Sequence, residues 1–198
     1  MKLIYGLEKD AEDVDFDKLY PEYIRKLSKI HWTPIEIAAT AINWLASSSE
    51  TKILDIGSGV GKFCILGGIL SGAQFTGVEK RENLVQEANK ALSKLSIENV
   101  NFIYSNITEI NFIKYNAFYY FNPFCEQVAS GDWIDLNVSF SDKKHRMYEQ
   151  YVFNQLSKMP LGTMLVTYCS QDFSPPPTYK IHDMMFDGLL VLWARTTI

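Results

Sequence analysis

A glycine-rich segment that follows a short apolar run places the tightest constraint on how this chain can fold. The run covers residues 52–56 and ends at three glycines spaced one residue apart, the first of which is Gly57. Alternating glycines let the backbone turn sharply and let a ligand approach without a Cβ atom in the way. A helical pattern at 62–70 and a second apolar run at 74–79 follow. This order predicts a parallel sheet with a ligand site at its carboxyl edge.

Strand and helix patterns alternate across residues 52–168. Further strands are expected at 101–104, 117–121 and 164–168, and further helices at 82–95 and 145–159. The last two strands, near 179–186 and 188–195, have no helical pattern between them and predict an antiparallel hairpin. We therefore predict an α/β, doubly wound, Rossmann-like fold with a mostly parallel seven-stranded sheet, a C-terminal antiparallel hairpin and an N-terminal helical cap.

The N-terminal part of the chain has a different pattern. Residues 8–17 are acidic and indicate a loop, and a helical stretch opens at the Tyr-Pro pair of 20–21. A longer helix is expected after Thr33, because Pro34 suits a first helical turn and Glu36 stands where a capping box needs it. We expect the Thr33 side chain to cap this helix.

Length and charge limit the classes of function. The 198 residues suit one domain, and we predict a single domain over 1–198 with a helical cap over 1–48 and a Rossmann-like core over 49–198. The 19 Lys and Arg residues against 23 Asp and Glu residues give a formal net charge of -4. Proteins that hold nucleic acid by bulk electrostatics are usually basic, so a nucleic-acid partner is less expected.

The cysteines and the N-terminus indicate the compartment. Cys64, Cys125 and Cys169 lie far apart, and no Cys/His ligand spacing is present, so the sequence predicts neither a disulfide framework nor a metal site. The apolar start of the chain is short and an acidic run follows it, unlike a signal peptide. No apolar stretch approaches the roughly 20 residues of a membrane span. We expect a soluble, cytoplasmic protein.

An acidic residue at the end of the second strand indicates the kind of ligand. Glu79 can accept hydrogen bonds from both hydroxyls of a ribose there, and the alternative is a solvated side chain beside Lys80 and Arg81. A dinucleotide site needs a small residue at the third position of its glycine fingerprint, for close packing of helix and strand. Lys62 occupies that position, and we expect it to hold the helix away from the strand. NAD binding is therefore disfavoured.

The sequence LDIGSGVGKF, followed by GVEKRENL, resembles the cofactor-binding half of the class I S-adenosylmethionine-dependent methyltransferases. The resemblance covers the order of elements over most of residues 33–198. It implies S-adenosylmethionine (SAM) as the cofactor, methyl transfer as the reaction, and no metal. Asp55 would then lie near the amino end of the methionine moiety. The remaining residues that it assigns to the methionine moiety and the ribose are Gly57, Ser58, Gly59, Gly61, Glu79 and Lys80.

Two further segments extend this resemblance to the cofactor site. Many family members have an Asp after the third strand that meets the adenine amino group; here the side-chain oxygen of Asn106 would take that role, and the amide of Ile107 would meet the ring. Thr33 and Pro34 resemble a Thr-Pro segment that covers the methionine end in several methyltransferase groups. The alternative for this pair is a plain helix start.

The segment Asn122-Pro123-Phe124 ends the fourth strand, which faces the reactive sulfur in this family. It resembles the Asn/Asp/Ser-Pro-Pro-aromatic motif of methyltransferases that modify planar amino groups, although the second proline is missing. By this resemblance Asn122, Pro123 and Phe124 are catalytic: Asn122 accepts a hydrogen bond from the methyl acceptor, and Phe124 forms the wall against it. Asn122 would also border the cofactor. The alternative is turn chemistry after a strand.

Together these features predict a SAM-dependent methyltransferase that acts on a nitrogen or oxygen nucleophile. A protein lysine or a small molecule is the expected acceptor, ahead of nucleic acid, and no membrane partner is expected. The alternatives are an NAD-type oxidoreductase and a non-catalytic SAM-binding protein, and aminopropyl transfer on the same fold is a further one. The oligomeric state is not predicted.

Overall fold

The computed structural model describes residues 12–124, 142–170 and 172–196. Four helices come first: α1 (Asp13–Asp17), α2 (Glu22–Arg25), α3 (Ser28–His31) and α4 (Ile35–Leu45). The elements that follow are β1 (Lys52–Ile56), α5 (Lys62–Leu70), β2 (Gln74–Glu79), α6 (Glu82–Leu92), β3 (Val100–Tyr104), β4 (Ala117–Phe121), α7 (Asp142–Leu156), β5 (Met164–Tyr168), β6 (Tyr179–Met185) and β7 (Leu190–Arg195). Two short 3-10 helices, Ile107–Glu109 and Phe112–Lys114, precede β4.

The seven strands form one sheet in the order β3-β2-β1-β4-β5-β7-β6. The pairs among β1 to β5 are parallel, and β7 runs antiparallel to both of its neighbours. The predicted fold class is confirmed. The chain leaves β1 toward β2 on one side and later returns to place β4 on the other. This switch point, at the carboxyl ends of β1 and β4, is where open α/β sheets bind ligands.

Apolar side chains cover both faces of the sheet, as a doubly wound fold requires. Alternate residues of β4 point to opposite faces. Ala117 and Tyr119 join the cluster that contains α4, α5, α6 and the N-terminal helices. Phe118 and Tyr120 join the cluster under α7. In the part of the chain that the structure describes, no helix has the length and apolar character to cross a membrane. The division into a cap over 1–48 and a core over 49–198 stays a prediction.

The start of α4 differs from the expected capping box. Its N-terminal flanking residue is Pro34, with no side-chain cap, and Thr33 Oγ1 instead lies 2.9 Å from Tyr119 Oη. Both hydroxyls are buried, and this hydrogen bond gives each of them the partner that a buried polar group needs. The amide of Ile35 donates to Asp13 Oδ1 at 2.9 Å. The expected cap by Thr33 is therefore wrong. The loop expected over 8–17 is wrong for residues 13–17, which form helix α1, whereas residues 8–11 lie outside the described residues.

Lys62, the first residue of α5, is buried and points toward the N-terminal helices. Its Nζ lies 2.6 Å from Asp13 Oδ1 and 3.5 Å from Asp17 Oδ1. A cation is disfavoured at a helix N-terminus, and these carboxylates offset that cost. Helix and strand meet at Gly67, where a Cβ atom would overlap the ring of Phe75 in β2. The expectation that Lys62 holds α5 away from the strand is therefore wrong.

Candidate active site

The glycine turn after β1 packs against the segment that follows β4. Gly57 has a φ of 75°, and the amides of Gly57 and Ser58 both donate to Val78 O, at 2.9 and 3.0 Å. A Cβ atom on Gly57 would lie 2.5 Å from Pro123 Cβ. Both the backbone conformation and the space therefore require glycine here. This contact brings the predicted cofactor loop and the predicted acceptor loop together at the switch point of the sheet.

Glu79 braces the same turn from the end of β2. Its side chain is buried, so the alternative of a solvated Glu79 is wrong. Oε2 accepts from the amide of Gly59 at 3.2 Å, and Oε1 accepts from the amide of Arg81 at 2.9 Å. An ionised carboxylate offers about four acceptor positions. Glu79 therefore retains acceptor capacity for the hydroxyls of a ligand while it supports the loop.

Asp55 lies deeper, in a buried polar cluster. Cys64 Sγ donates to Asp55 Oδ2 at 3.5 Å. Burial raises the pKa of Asp55 to about 7; the hydrogen bond from Cys64 lowers it, and the negative charge of Glu79 raises it. Tyr119, which pairs with Asp55 in the sheet, stacks on Phe63 with ring centroids 3.8 Å apart. The surroundings of Asp55 therefore disfavour its negative charge, and a cationic ligand group nearby would stabilise the ionised form.

A cleft of ≈ 340 Å³, partly open to solvent, runs along the carboxyl ends of β1, β2 and β4. Predicted site residues that line it are Gly57, Glu79, Lys80, Asn106, Ile107, Pro123 and Phe124. The other lining residues, which the sequence did not single out as site residues, are Val78, Arg81, Ser105 and Tyr148. Thr33, Asp55, Ser58, Gly59, Gly61 and Asn122 do not line this cleft.

Tyr148 is the largest of the lining residues that sequence reasoning missed. It comes from α7 and accepts a hydrogen bond from Asn106 Nδ2 at 3.1 Å. Its ring lies 5.2 Å from that of Phe124, and Lys80 Nζ lies 5.7 Å from its centroid. In the sequence Tyr148 was one member of the apolar stripe of a helix. The phenolic hydroxyl was the only local sign of a second role.

The expected adenine contact has a different partner in the structure. Asn106 Oδ1 accepts hydrogen bonds from the amide and the hydroxyl of Thr108, at 3.1 and 3.0 Å. These bonds close the 3-10 turn that Ile107 begins and use both lone pairs of the amide oxygen. Asn106 and Ile107 do line the cleft, and their pairing with adenine stays a prediction.

The other predicted residues surround the cleft. Gly61, with a φ of 83°, is the left-handed residue that precedes α5. The Ser58 side chain lies over Gly77, and its buried Oγ has no hydrogen-bond partner among the described residues. Asn122 follows β4 with a φ of 35°, and its Nδ2 donates to the carbonyl of Cys169 after β5. Among the described residues no group of His, Cys, Asp and Glu could hold a metal ion.

Residues 47–180 match the model of a family described as a methyltransferase domain. The chain belongs to this methyltransferase family. The enzyme is a SAM-dependent methyltransferase. The cleft suits that cofactor, because Glu79 can accept from ribose hydroxyls, and Ile107, Phe124 and Tyr148 offer apolar surface to a flat purine ring. No similar sequence was found among curated proteins.

Solved structures share the fold of this methyltransferase. An RNA methyltransferase from Salinibacter ruber, in complex with S-adenosylhomocysteine (SAH), is 16% identical with a TM-score of 0.59, over 84% of this chain and 95% of that chain. Magnesium protoporphyrin IX methyltransferase from Synechocystis PCC 6803, with bound SAM, is 14% identical with a TM-score of 0.59, over 89% and 85%. The [4+2]-cyclase SpnF is 12% identical with a TM-score of 0.51, over 67% and 44%. At these identities the likeness shows the fold alone.

Proposed function

We propose that this methyltransferase transfers the methyl group of SAM to a nitrogen or oxygen nucleophile held beside Asn122. The orientation of the Asn122 amide carries this proposal. Its Nδ2 donates to Cys169 O, and because a carbonyl oxygen can only accept, the amide nitrogen must face it. Oδ1 is then the amide atom that accepts a hydrogen bond from the N–H or O–H group of the methyl acceptor.

The cleft next to Asn122 is the proposed cofactor site. Glu79 would accept from the ribose hydroxyls, and Phe124 and Tyr148 would lie against the purine. Bound SAM supplies an electrophilic methyl group on a positively charged sulfur. The protein aligns the acceptor with that group and excludes water. The contact between Pro123 and Gly57 supports this role, because it fixes the acceptor loop against the cofactor loop.

The remaining site residues keep the roles that the family resemblance implies. Asp55, Ser58 and Thr33 are proposed for the methionine end of the cofactor. Asp55 fits this role, since the ammonium group of methionine would favour the ionised form of a buried carboxylate. The alternative of plain turn chemistry at Asn122 has less support, because its side chain bonds across to the next strand rather than within its own turn.

A protein lysine or a small molecule is the proposed acceptor. The formal net charge of -4 opposes binding of a polyanion by bulk electrostatics, so nucleic acid is the less favoured acceptor. The similarity to an RNA methyltransferase does not change this order, since it concerns the fold. We also propose a cytoplasmic location, because the described cysteines, Cys64 and Cys169, are free thiols.

Calorimetric titration with SAH tests the cofactor site. We expect micromolar affinity, about 8 kcal/mol, and at least a roughly ten-fold loss in Glu79→Ala because the ribose loses a charged acceptor. Glu82→Ala is the matched control, since Glu82 is exposed on α6 and accepts only from the neighbouring Gln86 side chain among the bonds described. Equal affinity in both variants, or binding of NAD in place of SAH, would contradict the proposed site.

Transfer of labelled methyl groups from SAM tests the reaction. Suitable acceptors are poly-L-lysine, free mono- and diamines, and an RNA oligonucleotide as the less favoured class. We expect Asn122→Ala to lower kcat by about 10²-fold, because the acceptor loses the group that orients it. Turnover that survives intact in Asn122→Ala would remove Asn122 from the mechanism.

A further inference from the structure

Two left-handed residues lie side by side where β4 and β5 end. Asn122 has a φ of 35° and Cys169 a φ of 46°. The residues before them, Phe121 and Tyr168, are paired in the parallel register of the two strands. Residues other than glycine adopt this conformation at a cost, which is smaller for Asn than for Cys, and Cys169 keeps it only where the surrounding structure holds it. A restraint at this point of the sheet is therefore needed.

The hydroxyl of Ser170 supplies that restraint. Ser170 Oγ accepts from the backbone amide of Asn122 at 3.1 Å. It donates to Tyr168 O at 2.7 Å, and Tyr120 O lies 3.4 Å away as a second possible acceptor. A hydroxyl has one hydrogen to donate and two lone pairs, so it can serve both strand ends at once. Ser170 is buried, and this shields its hydrogen bonds from competition by water.

We propose that Ser170 is a positioning residue for methyl transfer, which holds the Asn122 backbone so that the Asn122 amide reaches Cys169 and presents Oδ1 to the acceptor. This inference rests on the proposed function of Asn122. Two bonds define the geometry: Ser170 fixes the backbone of Asn122, and the carbonyl of Cys169 fixes its side chain. Ser170 acts through Asn122 and touches neither acceptor nor cofactor in this scheme.

The position of Asn122 can be measured without a known acceptor. SAM and SAH differ by the methyl group, which Asn122 Oδ1 faces in this scheme, and by the positive charge that the methyl group places on sulfur. A methyl group on a positive sulfur makes weak C–H···O contacts with such an oxygen, and SAH has no methyl group to make them. The ratio of the two dissociation constants therefore reports the placement of Oδ1. Amide hydrogen exchange at Asn122 reports the backbone restraint directly.

The experiment compares wild-type protein with Ser170→Ala, Ser170→Thr and Ser157→Ala. Ser170→Thr keeps the hydroxyl and is the conservative rescue. Ser157→Ala is the matched control, because Ser157 Oγ donates to a backbone carbonyl, Phe153 O, at 2.8 Å in α7, away from the site. Far-UV circular dichroism confirms that each variant is folded. Calorimetry then gives the SAM and SAH affinities, and NMR gives the exchange rate at the Asn122 amide.

We expect Ser170→Ala to speed exchange at the Asn122 amide about ten-fold and to lower the preference for SAM over SAH about three-fold, with SAH affinity unchanged. Ser170→Thr should restore both values, and Ser157→Ala should change neither. An unchanged exchange rate in Ser170→Ala, or an equal loss of SAM and SAH affinity, would overturn the proposal. Wild-type protein that binds neither ligand would instead contradict the proposed function, and with it the role of Ser170.

Discussion

Asp55 is the described carboxyl group whose surroundings least favour its charge. Its side chain is buried, and burial raises the pKa of Asp55 to about 7, with Glu79 close enough to oppose a second negative charge. The hydrogen bond from Cys64 acts in the opposite direction. Asp55, at the predicted methionine end, therefore changes its protonation state near pH 7, within the pH range in which enzymes are usually assayed.

The substitution Asp55→Asn tests this pKa. The raised pKa means that the folded protein keeps a proton that the unfolded chain, with an ordinary value of 3.8, releases. The stability that this proton contributes is complete below about pH 4 and is lost as the pH rises through about 7. We expect Asp55→Asn to be more stable than wild type by up to about 4 kcal/mol at pH 9, and by less than half of that at pH 5.

Urea unfolding of both proteins at the two pH values measures the difference. Glu50→Gln, at an exposed position outside the site, controls for the general effect of removing a negative charge. A difference between Asp55→Asn and wild type that stays constant from pH 5 to 9 would contradict the raised pKa.

At the scale of residues, the sequence was informative where a single position carries its own signal. Glu79 ends β2, Gly57 directly follows β1, and both line the cleft. Tyr148 carries no such signal, since a helical apolar stripe does not show that one of its hydroxyls faces a cleft. Thr33 had a local signal that was misleading: the hydroxyl expected to cap a helix bonds to Tyr119, and no local pattern reveals a partner so far along the chain.

The N-terminal helices are attached to the rest of the molecule mainly through buried side chains. Tyr20 Oη donates to Val60 O at 2.8 Å, next to the glycine turn. Lys62 Nζ lies 5.3 Å from the ring centroid of Phe16 and is paired with Asp13 and Asp17. These contacts connect α1 and the turn after it to the start of α5. A charge inside an apolar setting is costly unless it is paired, so the ion cluster depends on all of its members.

Replacing Lys62 tests that dependence. Lys62→Met keeps the aliphatic stem but leaves Asp17 buried without its cation. We expect the free energy of unfolding to fall by about 3 kcal/mol, and residues 12–32 to exchange their amide hydrogens faster. Lys18→Met is the matched control: Lys18 and Asp15 form an exposed ion pair at 2.7 Å, and its loss should change neither measurement. Equal effects of the two substitutions would contradict the argument.

At the scale of elements, the hydrophobic pattern and the residues that interrupt it predicted the strands closely. β1, β2, β4 and β5 occupy the predicted residues, because apolar runs bounded by glycine or polar residues define them locally. The helix ends were less predictable: α6 ends at Leu92 and α7 at Leu156, each three residues before the predicted end, since helices end where packing and capping partners end. The buried role of Lys62 was not foreseen, because its counter-charges lie in a stretch that was expected to be a loop.

For the whole molecule, the sheet joins both ligand loops to one rigid frame. The predicted cofactor loop follows β1 and the proposed acceptor loop follows β4, and these strands are hydrogen-bonded neighbours. A ligand that bridges the loops is bound by the folded protein and not by the unfolded chain. Cofactor binding should therefore stabilise the entire fold rather than one element.

Thermal and urea unfolding in the presence of SAH measure this coupling. We expect about 2.7 kcal/mol of added stability at one hundred times the dissociation constant, from mass action alone. The same concentration of NAD should add none. Glu79→Ala should lose about half of the gain or more, as an affinity at least ten-fold weaker requires, and Glu82→Ala should keep it. A stabilisation by SAH that is the same in both variants would show that the ligand binds elsewhere.

The hydrogen bond from Ile35 to Asp13 has a practical consequence for anyone who trims this chain. One carboxylate near the N-terminus serves the first amide of α4 and the buried ammonium of Lys62 at the same time. An expression boundary placed at residue 49, which the sequence alone makes attractive, would leave Lys62 without its counter-ions and the sheet without α4. We therefore expect a fragment that begins at residue 49 to be less stable than the full chain.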